Sequence, residues 1–146
     1  MVPRIAPLVL LVLLHAPHAL AAPITGPERF VLFSVNEVEN DLQPLQTIHM
    51  TLADKDSQPV GEMDVMIVPT ALDVNPGDQF RGMVSAVATL PRGKIVFQGA
   101  FAAGETKFDA AITGGTGDYR RARGYVVITP GKDQNAPTRL VFHVND

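Results

Sequence analysis

From Arg29 to Val144 the chain is broken into short β-branched and aromatic runs, each closed by a cluster of Gly, Pro, Asn or Asp. No long stretch carries apolar residues at the 3.6-residue period that a helix needs, so the pattern predicts an all-β domain. The predicted strands are Arg29 to Val38, Thr47 to Ala53, Gly61 to Pro69, Gln79 to Leu90, Lys94 to Ala102, Lys107 to Thr113, Tyr125 to Thr129 and Arg139 to Val144. Turn residues fall between them at Asp54 to Pro59, Asp73 to Asp78, Pro91 to Gly93, Ala103 to Glu105, Gly114 to Gly117 and Pro130 to Pro137. Alternation within the strands says more than their number. In the first, Phe30, Leu32, Ser34, Asn36 and Val38 share one face, while Val31, Phe33, Val35 and Glu37 share the other. Both faces are largely apolar, as are those around Val126 and Phe142. That suits a closed sheet whose interior is filled or holds a ligand and whose exterior partly packs on something else, such as a sister subunit.

The densest glycine segment runs from Ile112 to Gly124. Gly114, Gly115, Thr116 and Gly117 lie between two β-rich runs, which predicts a tight connection through positive φ. A phosphate-cradling loop would end in Gly-Lys-Ser/Thr and lead into a helix; here Asp118 follows, and Pro130 and Gly131 soon close the segment.

Residues 1–21 read as an export signal. Arg4 supplies the positive start, Leu8 to Leu14 the short apolar core, and Ala19-Leu20-Ala21 the small residues before a cleavage site after Ala21 or one residue later. The apolar run is short for a bilayer span, and Pro7 and Pro17 bracket it, so a retained anchor is the weaker alternative. The expected mature chain, 22–146, is one secreted or periplasmic domain large enough for a real core. With no cysteine, it must be held by packing, hydrogen bonds or oligomerisation. Removing Arg4 leaves 11 basic against 15 acidic side chains, a balance that gives no footprint for nucleic acid or anionic lipid. No membrane contact is expected after cleavage.

Gly93-Lys-Ile-Val-Phe-Gln-Gly-Ala-Phe101, a Gly-Glu-Thr hairpin, and Ala111-Ile-Thr-Gly-Gly-Thr-Gly-Asp-Tyr-Arg-Arg-Ala-Arg-Gly-Tyr125 together resemble the allene oxide cyclase and dirigent superfamily. The order matters as much as the letters: a strand ending in Gln-Gly-x-Phe/Tyr, a hairpin, then a strand entering Gly-Gly-Thr/Ser-Gly-x-Phe/Tyr. The resemblance implies an eight-stranded antiparallel β-barrel of calycin type, usually trimeric, with an apolar cavity open at one end. It also implies a hydrophobic ligand whose conformation the barrel restricts, so that cyclisation, isomerisation or radical coupling yields one stereoisomer.

Phe33-Ser-Val-Asn-Glu37 resembles the cyclase pattern Tyr-Glu-Ile-Asn-Glu, whose first Glu and Asn point into the cavity. Asn36 keeps the amide, whereas Ser34 replaces a carboxylate and cannot supply its charge. Asn36 either lines the cavity or satisfies backbone or water. Dirigent-type sites use carboxylate, tyrosine and arginine, which implicates Asp118, Tyr119 and Arg123: Asp118 as general acid or base, Arg123 as holder of an oxyanion. The alternative is a solvated charged loop pinned by a salt bridge from Arg123. Gln98 and Phe101 belong to the Gln-Gly-x-Phe motif, and Met50, Met63, Met66 and Met83 are either an adaptable lining or ordinary core. Two histidines after cleavage, His49 and His143, with no ligand spacing and no cysteine, make a metal site or other cofactor unexpected. No serine sits in a nucleophile elbow. The expected function is a secreted barrel steering an apolar oxygenated molecule; the alternative is a non-catalytic carrier or interaction barrel that lost the carboxylate.

Overall fold

The computed structural model describes residues 26–42, 45–70, 80–133 and 136–145, without the side chains of 36 and 38–42. The expected signal segment lies outside the described residues. Eight strands follow in chain order: β1 (Glu28–Leu42), β2 (Leu45–Ala53), β3 (Pro59–Pro69), β4 (Arg81–Leu90), β5 (Gly93–Ala102), β6 (Phe108–Gly115), β7 (Arg123–Thr129) and β8 (Arg139–Asn145). Each pairs antiparallel with the next, and β8 returns to β1, closing the barrel. The expected fold class is the one observed. Strand bounds differ by a few residues, the largest change being the extension of β1 from Val38 to Leu42.

Register fixes which side chains face inward. Phe97 stands opposite Ala86 and Ile112, Gly99 opposite Val84 and Ala110, and Phe101 opposite Gly82, so large and small residues alternate around the wall. A Cβ on Gly99 would come within 3.0 Å of the Ala110 Cβ and the Asp109 carbonyl oxygen; the missing side chain lets β5 and β6 approach. The interior around Phe142 is packed with rings and aliphatic side chains. Phe142 stacks on Phe30 at 4.8 Å between centroids and meets Phe97 edge-on at 5.8 Å, with Leu52, Ile95, Val126 and Val144 buried around them. Each large side chain so buried contributes about 1.5–3 kcal/mol.

Strict alternation along β1 does not survive. Val35 pairs with Thr51 but Val38 pairs with His49, so Asn36 and Glu37 together face the single residue Met50. This is a β-bulge, and it dissolves the two-face assignment expected beyond Val35.

Candidate functional site

The two ends of the barrel are built differently. At one, β6 runs through Gly115 into a single 3-10 turn, Gly117–Tyr119, that folds back over the opening. Tyr119 and Ala122 are buried there while Arg120, Arg121 and Arg123 are exposed, so the segment is a plug with a solvated charged outer face. Of the four turn residues 114–117, Gly117 alone takes positive φ, at 60°. Its neighbour Asp118 donates its backbone N–H to the Arg92 carbonyl at 2.9 Å. The Arg92 side chain locks the plug from above: Nε reaches Asp118 at 3.1 Å, Nη1 reaches both Glu28 oxygens at 3.2 Å, and the guanidinium carbon lies 5.6 Å from the centre of the Tyr119 ring. The hydrogen bond to Asp118 raises the Arg92 pKa, and desolvation by burial raises that of the Tyr119 phenol.

The opposite end carries aromatic rings without such a seal among the described residues. Phe101 stacks on Phe108 at 5.4 Å and meets Phe80 at 5.9 Å. Phe80 is itself fixed by the bond from the Ala103 N–H to its carbonyl at 2.7 Å. Phe101, Phe108, Ile48 and Ile67 face inward yet are only half-buried, whereas Phe97 and Ile95 below them are fully covered. Phe30 and Leu90, at inward positions near the plug, are half-buried as well.

Ser34 stands between these regions, 1 % exposed. Its hydroxyl accepts the Thr138 N–H at 3.0 Å and donates to Glu37 Oε1 at 2.7 Å, while its own N–H donates to the Thr138 carbonyl at 3.0 Å. The Asn36 side chain lies outside the described residues. Met50 is buried in the interior opposite Met63; Met66 and Gln98 face outward, and Gln98 donates to Ser85 at 3.3 Å. Asp118 and Tyr119 belong to the plug, at the far end from Phe101. Arg123 is exposed and bonds to the neighbouring Ala122 carbonyl at 3.0 Å, so the cation that pins Asp118 is Arg92 rather than Arg123. The expected residues therefore do not form one cluster.

Residues 46–145 match the family model described as dirigent-like protein. The chain belongs to the dirigent-like family. None of the curated protein sequences matches this dirigent-like chain. Solved structures share its fold. A pyocyanin demethylase is 18 % identical with a TM-score of 0.60, covering 80 % of this chain and 99 % of that one. AbnU, an exo-specific intermolecular Diels–Alderase, is 13 % identical with a TM-score of 0.62, covering 82 % and 97 %. A pterocarpan synthase dirigent protein is 16 % identical with a TM-score of 0.58, covering 81 % and 84 %.

Sequence reasoning passed over two features of this dirigent-like barrel. The Arg92 clamp joins residues distant in sequence, and only register shows that Glu28, Arg92 and Asp118 converge. On the outer wall, Thr47, His49, Asp64, Met66, Ser85 and Val87 line a shallow groove of about 490 Å³. His49 Nδ1 lies 2.7 Å from Asp64 Oδ1, a contact that raises the histidine pKa from its ordinary 6.5. Alternation in the second and third strands would place these side chains on one face, but not opposite each other.

Proposed function

We propose that this barrel, exported by its N-terminal segment, binds an apolar oxygenated small molecule at its ring-lined end and steers a stereoselective cyclisation, isomerisation or coupling. The observation that carries this reading is the group of inward, half-buried rings, Phe101 stacked on Phe108 beside Phe80, at the end away from the plug. A ligand held there would be surrounded by rings and aliphatic groups, shielded from water and limited to few conformers. Confinement of that kind lowers a barrier by orientation alone. Membership of the dirigent-like family supports the reading, and so does the fold shared with a Diels–Alderase and a pterocarpan synthase dirigent protein. Exposed Met66, Val68 and Met83 on the outer face of β3 and β4 support a homo-oligomer, the trimer that the family resemblance implies.

A second reading, a non-catalytic carrier, draws on Ser34. It is the single buried polar side chain among the described residues, and its hydroxyl is already committed to Thr138 and Glu37. Chiral chromatography separates the two. Mature protein incubated with unsaturated epoxides, and separately with phenols under a one-electron oxidant, is expected to give an enantiomeric excess from one class. Bound substrate with racemic product supports the carrier, and no binding of any substrate removes both.

A further inference from the structure

The groove on the outer wall crosses β2, β3 and β4, has a volume of about 490 Å³ and places His49, Asp64 and Met66 on one surface. His49 stands opposite Asp64, and Thr47 opposite Met66, so the Met66 thioether is the diagonal neighbour of the imidazole across the hairpin. Diagonal Cβ atoms lie about 7–8 Å apart, within reach of side chains of this length. The 2.7 Å contact between His49 Nδ1 and Asp64 Oδ1 fixes the ring. A carboxylate only accepts, so Nδ1 carries the proton and, in the neutral ring, Nε2 keeps its lone pair. Met66 is 41 % exposed where it lines the groove.

A metal-ligating histidine almost always gives its second nitrogen such a partner. Among the described residues no three His, Cys, Asp or Glu side chains gather as a zinc or calcium site requires. The donors in the groove are instead one imidazole and one thioether, a set that selects a soft ion.

We propose that His49 Nε2 and Met66 Sδ bind copper(I) in this groove, with Asp64 as the positioning residue that holds the imidazole. The site lies outside the barrel and is independent of the ligand-binding reading above. Because the groove opens to solvent, the ion stays accessible, unlike a metal in a closed structural site.

Silver(I), a redox-inert substitute for copper(I), tests this when titrated into the full mature protein in its native assembly. One equivalent is expected to shift the NMR signals of the Met66 methyl and the His49 ring, while buried Met50 and Met63 and exposed Met83 stay in place. Competition with bicinchoninate then gives the copper(I) affinity. Met66→Leu and His49→Gln should each weaken it at least tenfold, Asp64→Asn should weaken it about tenfold, and Met83→Leu should leave it unchanged. His49, Asp64 and Met66 are exposed, so these variants keep the fold, and thermal melting verifies this. Absence of silver binding, whether the groove is bare or covered by a sister subunit, overturns the proposal. An equal loss in Met83→Leu overturns it too, since exposed thioethers would then be capturing the ion without a site. Unchanged affinity in Asp64→Asn overturns the role of Asp64 alone.

Discussion

Arg92 and Asp118 lie 26 residues apart in the chain and meet at 3.1 Å, while the same guanidinium holds Glu28 on its other side. One side chain therefore ties the start of β1, the β4–β5 turn and the plug together. Its ion pairs are about two-thirds shielded, with 30 % of the Arg92 side chain exposed, so each is worth less than a fully buried pair.

Arg92→Met keeps the apolar stem and removes the charge. It is expected to lower the free energy of unfolding by about 1–2 kcal/mol in urea titration. Raising the salt concentration should weaken the wild-type protein more than the variant, because the variant has no clamp to screen.

Tyr119 contributes by packing and through its protonation state. Tyr119→Ala should cost about 3–5 kcal/mol and speed amide exchange at the start of β5 and the end of β6, while Tyr119→Phe should be mild. Burial raises the phenol pKa in the folded protein above its ordinary value of 10.0. The neutral form is favoured on folding, so this stabilisation is complete below about pH 10 and is lost as the pH rises through the folded-state value. Alkaline titration of unfolding should show the loss in the wild-type protein and not in Tyr119→Phe.

Gly117 combines positive φ with crowding. A Cβ there would lie 2.5 Å from the Arg92 carbonyl oxygen, the acceptor of the Asp118 N–H. Gly117→Ala should therefore exceed the roughly 1 kcal/mol of left-handed strain and displace the plug, read as a lower melting temperature and a changed Tyr119 fluorescence.

His49 titrates on the surface with Asp64 beside it. The hydrogen bond to Asp64 raises its pKa, so the charged pair is complete below pH 6.5 and fades as the pH rises through the folded-state value. Proton NMR titration should return His49 toward 6.5 in Asp64→Asn; an unmoved titration would show the pair to be absent in solution.

Phe101 and Phe97 share an inward face of β5 but should respond differently. Phe97→Ala empties packed space and is expected to cost about 3–5 kcal/mol, whereas half-buried Phe101→Ala should cost about 1–2 kcal/mol. If the ring-lined end binds the ligand, Phe101→Ala should still weaken binding of a fluorescent probe, naphthalene, about tenfold in fluorescence titration.

Much of this architecture was legible in the sequence. The β-rich runs and turn clusters gave all eight strands, because period-two alternation and glycine or proline punctuation are local signals. The Gln-Gly-x-Phe and Gly-Gly-Thr-Gly motifs gave the family. What escaped were effects of register. A one-residue bulge at Asn36 and Glu37 leaves no mark in composition, yet it re-aims a carboxylate. The burial of Tyr119 amid Asp118, Arg120 and Arg121 is hidden by its polar neighbours, since the partner that makes burial favourable, Arg92, arrives from another hairpin. Met66 and Met50 illustrate the same limit: identical side chains on one hairpin, one outward and one in the core, distinguished by strand phase alone.

The β1–β8 seam has a consequence for how the molecule assembles. Glu28 pairs with Val144, so the last ladder to form joins segments separated by nearly the whole domain. Loop closure of that length is entropically slow, and until it occurs β1 and β8 are open strand edges. During that interval a β8 from another copy can dock where the chain's own belongs, giving an exchanged dimer with every native pairing intact. The same seven residues that complete the ring in one molecule are thus the ones by which two molecules can become entangled.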